Sequence, residues 1–224
     1  MTRGRLGTSA ALVTTLGVLA AYHELRRLAI PDSLHFASNT AMIGVVSAVA
    51  VASALSVDEL GLTRAALPKG LRYGAVTAAA IGAAVAAAVV IGVDPTGTIN
   101  DRGAVSGRDM LFQVFVEIPI ATVLLEELAF RGVVAGLLSR VTTPGWVLAG
   151  SSLAFGLWHV SPNQFTSLAD AGGALATVAG TAVAGAAFLM LRRRSGSLAA
   201  PMLAHWGTNG VAFLVAWLTV RATN

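Results

Sequence analysis

Three groups of polar residues interrupt otherwise apolar runs of this chain. They read Glu126-Glu127-Leu128-Ala129-Phe130-Arg131, Phe155-Gly156-Leu157-Trp158-His159 and His205-Trp206-Gly207-Thr208-Asn209. Ionisable side chains are costly inside a membrane, so residues of this kind in apolar runs are functional candidates by default. In the first group Glu127 and Arg131 are four apart and share a helix face, which suits an ion pair. Taken alone, that pair reads as a structural tie between helices. Glu126 is turned about 100° away and lacks that partner. Two adjacent carboxylates exceed what one salt bridge needs, and a desolvated carboxylate suits a general base. In the second group His159 closes an apolar run just before Ser161-Pro162. Alone it would be an ordinary hydrogen-bonded histidine, with Phe155 packed one turn earlier and Trp158 as an interfacial anchor. In the third group His205 and Asn209 lie four apart, so one helix presents both to one cavity. They are either an interhelical hydrogen-bond pair or a donor pair for an oxyanion. Together the groups supply a base, a second base or water-holder and an oxyanion donor pair, which is what peptide hydrolysis by activated water requires.

Other nucleophiles are poorly represented. The chain has no cysteine, so thiolate chemistry, disulfides and Cys-ligated metals are excluded. No Ser or Thr has the elbow or Ser-Lys setting of a nucleophile.

The elements that position these residues are transmembrane helices. Of 224 residues, 55% are hydrophobic and 12% charged, and the mean hydropathy is +0.74. Soluble domains carry about 25% charged residues. Apolar runs fall near residues 8–22, 36–56, 73–93, 111–138, 145–160, 171–191 and 197–220. They are too long and continuous for barrel strands. The expectation is an all-α polytopic transmembrane bundle of seven helices, or eight if Pro201 breaks the last. The whole of 1–224 reads as one membrane domain. Arg3 and Arg5 precede the first run as in a signal peptide, but no small-residue cleavage site follows, so it reads as an uncleaved helix. Residues 57–73 read as a short interfacial helix, and 94–109 as the longest polar segment. Gln113 and Glu117 read as interfacial, and Asn163 and Gln164 as loop.

Net charge is +4 and the pI is about 10.6. The basic residues sit in short clusters between apolar runs, as topology signals do, and nucleic acid is not an expected partner. With a cytoplasmic N-terminus, the inner segments hold Arg3, Arg5, Arg64, Lys69, Arg72, Arg140 and Arg192-Arg193-Arg194. The outer ones hold Arg26, Arg27, Arg102, Arg108 and Arg221. That excess favours N-in.

In order and spacing, the three groups resemble the CAAX protease and bacteriocin-processing (CPBP, or Abi) family. Its pattern is E-E-x-x-x-R, F-x-x-x-H and H-x-x-x-N on successive membrane helices. The resemblance covers residues 111–220, with a Leu60-Gly61-Leu62-Thr63-Arg64 stretch ahead of it. It implies an intramembrane endopeptidase of roughly eight helices, open to the cytoplasmic side, acting on a peptide or protein reached from the membrane or cytoplasm. In such an enzyme Glu126 and His159 would activate water, and His205 and Asn209 would stabilise the oxyanion. Glu127, Arg131 and Phe155 would support the site. Glu126, His159 and His205 could instead make a three-ligand zinc site. H-E-x-x-H is lacking, and zinc would leave no obvious base, so a cofactor-free mechanism is favoured. The composition looks bacterial, which places the chain in a bacterial cytoplasmic membrane. The rival readings are a non-catalytic immunity or scaffolding protein and a small proton-coupled transporter. No internal repeat supports the transporter.

Overall fold

The computed structural model describes residues 2–93, 104–161 and 167–223. Among them every regular element is helical. Three single helices come first: α1 (Thr2–Ala29), α2 (His35–Ala52) and α3 (Leu67–Val90). The fourth, α4, runs continuously through residues 107–139. It opens as α-helix (Gly107–Phe112), passes through two π-helical stretches (Gln113–Leu124 and Glu127–Val134) and closes as α-helix (Ala135–Ser139). Then come α5 (Pro144–Leu157) and α6 (Leu168–Ser195). The last, α7, runs through residues 199–223, with a π-helical stretch at Gly207–Val211.

Among the described residues, seven long helices thus stand where seven apolar runs were read. Pro201 lies in the first turn of α7, where a missing N–H costs no helical bond, so it does not split the run into two helices. The interfacial helix expected over 57–73 is not formed as one element. Residues 53–62 make turns, a 3-10 turn spans Arg64–Ala66, and α3 begins at Leu67. Residues 94–103 and Asn163 and Gln164 lie outside the described set.

The termini are set by local chemistry. The Ser106 hydroxyl accepts from the Asp109 N–H at the start of α4, and Ser167 does the same for Asp170 at the start of α6. Such caps satisfy the first free N–H groups of a helix. Gly196 ends α6 in the left-handed conformation, φ +73°, where glycine carries no Cβ penalty.

Three segments, Asp32–Ala52, Arg64–Val90 and Leu168–Ser195, are long and apolar enough to cross a membrane. They expose large apolar side chains outward, Val51, Val76 and Val183 among them. The reverse holds for α4, in which every residue from 125 to 137 is buried. A helix buried on all sides is the centre of its bundle, and α4 touches α1, α2, α5, α6 and α7. Its core neighbours include Leu19 of α1, Met42 and Val46 of α2 and Phe155 of α5. Its first half packs Met110 and Val114 on Phe213 of α7.

Small residues bring the remaining helices together. A Cβ on Gly156 of α5 would lie 2.6 Å from the Val178 carbonyl oxygen of α6. One on Gly207 of α7 would lie 2.9 Å from the Ala78 Cα of α3. Close backbone approach of this kind is how helices associate without a hydrophobic driving force.

Candidate active site

The three polar groups come from α4, from the end of α5 and from α7, and they meet at Glu126. This carboxylate is 8% exposed. Its Oε2 lies 4.0 Å from His159 Nε2 and 3.8 Å from His205 Nε2. The same Oε2 is buried with no hydrogen-bond partner among the described residues. Buried polar atoms are nearly always satisfied, so an open one between two imidazoles marks a place for a polar guest.

Each imidazole is held from behind. The His159 Nδ1 lies 2.8 Å from the Phe155 carbonyl oxygen, one turn back. A carbonyl only accepts, so Nδ1 carries the proton and Nε2 presents a lone pair when the ring is neutral. The His205 Nδ1 lies 2.8 Å from Glu127 Oε1. That same oxygen accepts from Arg131 Nη1 at 3.0 Å. Glu127 and Arg131 are both fully buried, so the ion pair read from the sequence is formed and also orients His205. Phe155 does more than fill space beside His159. Its ring lies 4.6 Å from the His159 ring and 6.0 Å from the His205 ring, and the Arg131 guanidinium sits 3.8 Å over it. A desolvated cation over an aromatic face is favourable by about 2 kcal/mol. Phe188 of α6 stacks on His205 at 5.2 Å.

The π-helical segments carry this arrangement. Glu127 and Arg131 lie in the second π stretch of α4, which Glu126 immediately precedes, and Asn209 lies in that of α7. Such stretches are rare and gather at functional sites. Pro119 lies inside the first stretch of α4, where it removes a backbone donor that a regular α-helix would use.

Asn209 is half-buried, one turn beyond His205. Its amide oxygen accepts from the Thr208 hydroxyl at 3.4 Å rather than from a member of the Glu and His cluster. Trp158 departs from its reading as an interfacial anchor, because its indole N–H donates to Glu126 Oε1 at 3.1 Å. Nothing in its type or spacing distinguished it from an ordinary interfacial tryptophan. Gln113 and Glu117 are half-buried on the first π stretch.

An apolar cavity of about 370 Å³ lies beside the cluster between α1 and α5, lined by Leu16, Leu19, His23, Phe130, Leu157 and Trp158. For a metal, among the described residues no three His, Cys, Asp or Glu side chains are grouped closely enough to hold one. Ligands around tetrahedral zinc at about 2.0–2.1 Å stand roughly 3.3 Å apart. The Glu126 separations, 3.8 and 4.0 Å, exceed that by about 0.5 to 0.7 Å.

With that geometry in view, the sequence model of the type II CAAX prenyl endopeptidase Rce1-like family matches residues 108–211. Residues 108–211 are thus similar to that family. The Rce1-like segment runs from the start of α4 to the π stretch of α7, and it contains Glu126, Glu127, Arg131, Phe155, His159, His205 and Asn209. It leaves out α1, α2 and α3. No curated protein and no solved structure matches the chain.

Proposed function

We propose that this protein is an intramembrane endopeptidase that hydrolyses a peptide bond with a carboxylate-activated water. The observation that carries the reading is the open, buried Glu126 Oε2 between two imidazole Nε2 atoms. The Rce1-like match to residues 108–211 supports the reaction class.

In this scheme one water sits between Glu126 Oε2 and His159 Nε2. Its oxygen attacks the scissile carbonyl carbon while its proton passes to Glu126. The carbonyl π electrons move onto oxygen, and the resulting oxyanion is met by His205 and Asn209. His205 would meet it through Nε2, with its Nδ1 held by Glu127 Oε1 at 2.8 Å. The oxyanion then re-forms the carbonyl as the C–N bond breaks, and Glu126 returns the proton to the leaving amine. Preorganised donors of this kind are worth about 10²–10³ each in rate.

The substrate is a peptide or protein segment that reaches Glu126 from the membrane or the cytoplasmic side; the apolar cavity beside Trp158, lined by the C-terminal halves of α1 and α5, suits entry from the membrane. The chain is one integral membrane unit, residues 1–224, with its catalytic core over about 111–220 and its N-terminus in the cytoplasm of a bacterium. Zinc is not required.

The decisive experiment is Glu126→Gln in the purified full chain. Cleavage of a susceptible peptide is expected to fall by at least about 10²-fold, with thermal unfolding unchanged. Activity is expected to survive exhaustive chelation. Full turnover by Glu126→Gln would overturn the base assignment. Loss on chelation that zinc alone restores would make Glu126, His159 and His205 ligands.

A further inference from the structure

We propose that Trp158 is a positioning residue for the Glu126 carboxylate, and that α1 completes the site by seating the Trp158 indole. The proposal rests on the peptidase reading above.

A glutamate side chain ends in a soft, roughly two-fold torsion, so either oxygen can face a given direction. Here the indole N–H of Trp158 engages Oε1 at 3.1 Å, and Oε2 is the oxygen left facing His159 and His205. One donor therefore selects which oxygen takes the proton from water. Of the four tryptophans, Trp206 and Trp217 donate to the backbone carbonyls of Val114 and Val105. Trp146 is 69% exposed. Among the described residues, Trp158 alone of the four bonds a carboxylate.

The indole is itself held in place. Phe130 meets it edge-on at 5.8 Å. From α1, the Tyr22 ring stacks on it at 6.5 Å and the His23 ring tilts against it at 5.1 Å. Both α1 residues are anchored in turn. The Tyr22 hydroxyl bonds Ser38 and Asn39 of α2. The His23 Nε2 pairs with the Ser161 hydroxyl at 3.2 Å, two residues beyond His159. Tyr22 and His23 lie outside the Rce1-like segment, so that segment by itself does not hold its base in register.

The test replaces the indole N–H without changing its shape. Benzothienylalanine at position 158 puts sulfur where the N–H was. In the full chain in nanodiscs, with a quenched-fluorescent peptide library as probe, kcat is expected to fall about 10–100-fold at unchanged KM and unchanged melting temperature. A purely space-filling tryptophan would leave kcat intact, and that result would overturn the proposal. Trp158→Phe should repeat the loss, and His23→Ala should give a smaller loss in kcat. An independent readout needs no turnover. With ¹⁵N-labelled tryptophan, Glu126→Gln should shift the one indole signal that Trp158→Phe removes. An unmoved signal would overturn the contact. A wild-type chain that cleaves no member of the library would instead overturn the peptidase reading, and the indole signal would still decide the contact.

Discussion

Glu126 and Glu127 are neighbours with opposite surroundings. Glu127 Oε1 takes a guanidinium and an imidazole, whereas Glu126 takes one indole N–H and turns its open Oε2 between two imidazoles. Their roles should therefore separate in mutants. Removing one partner of a fully buried ion pair strands the other charge, at about 3–5 kcal/mol. Glu127→Ala or Arg131→Ala is expected to lower the melting temperature sharply, and to lower activity both through loss of folded protein and through the lost hold on His205. Glu126→Gln is expected to do the reverse, with activity lost and folding kept. Thermal unfolding and turnover measured on the same preparations distinguish the two patterns. The odd polar residue was visible in the order Glu-Glu-x-x-x-Arg, because one arginine can occupy one face only. The donor on Glu126 was not visible, because Trp158 reaches it across 32 residues of sequence.

At the scale of elements, the site depends on where α5 and α7 stand against their neighbours. His159 follows the C-terminal end of α5, and that helix meets α6 through Gly156, whose missing Cβ admits the Val178 carbonyl. Gly156→Val is expected to push α5 outward by an ångström or more. Overpacking of this kind costs about 1–3 kcal/mol, and the shift of His159 should cost activity beyond the loss in stability. A melting temperature and a turnover number that both match wild type would show that α5 tolerates the displacement. Glycine at this position was readable only as one of many small residues. Which backbone it lets approach depends on how α5 and α6 are paired.

Across the whole molecule, one end of the bundle is tied by charge. The ends of α2, α4 and α6 and the starts of α3, α5 and α7 gather there with Arg64, Lys69, Arg72, Arg140 and Arg192 to Arg194. Arg140 engages Glu59 at 2.6 and 2.8 Å and the carbonyls of Ser53 and Ala54 at 2.7 Å. Arg192 bonds the Glu59 carbonyl, and the Leu198 N–H donates to Gly61 at 2.7 Å. The Arg140 hydrogen bonds hold the Glu59 carboxyl down from 4.5 to about 2. A carboxylate with a depressed folded-state pKa stabilises above its unfolded value and loses that contribution as pH falls through the folded value. The gap in melting temperature between wild type and Glu59→Gln is expected to be a few degrees above about pH 5. It should shrink between pH 4.5 and pH 2. A gap independent of pH would show that the charge on Glu59 does not contribute. The same end is proposed to face the cytoplasm. Since the chain has no native cysteine, single cysteines at Lys69 and Arg193 should label only when the cytoplasmic face is open. One at Asp32 should label from the opposite face. The reverse pattern would invert the topology.

Composition and periodicity alone determined that the chain is helical and apolar. They also determined that the polar residues of 126–131, 155–159 and 205–209 are out of place in their runs. Those facts follow from local chemistry, since a backbone in an apolar setting must bond within its own helix. The helix count was legible to within one, because Pro201 can begin a helix or break one and only its place in the first turn decides between them. The tertiary structure decided what no spacing encodes: which helices touch, that Glu126 Oε2 stands open between two imidazoles while Glu127 Oε1 takes both Arg131 and His205, and that Trp158 bonds Glu126 with Tyr22 and His23 packed on its ring. Those are distances between side chains far apart in the chain, and they exist only once α1, α4, α5 and α7 are packed.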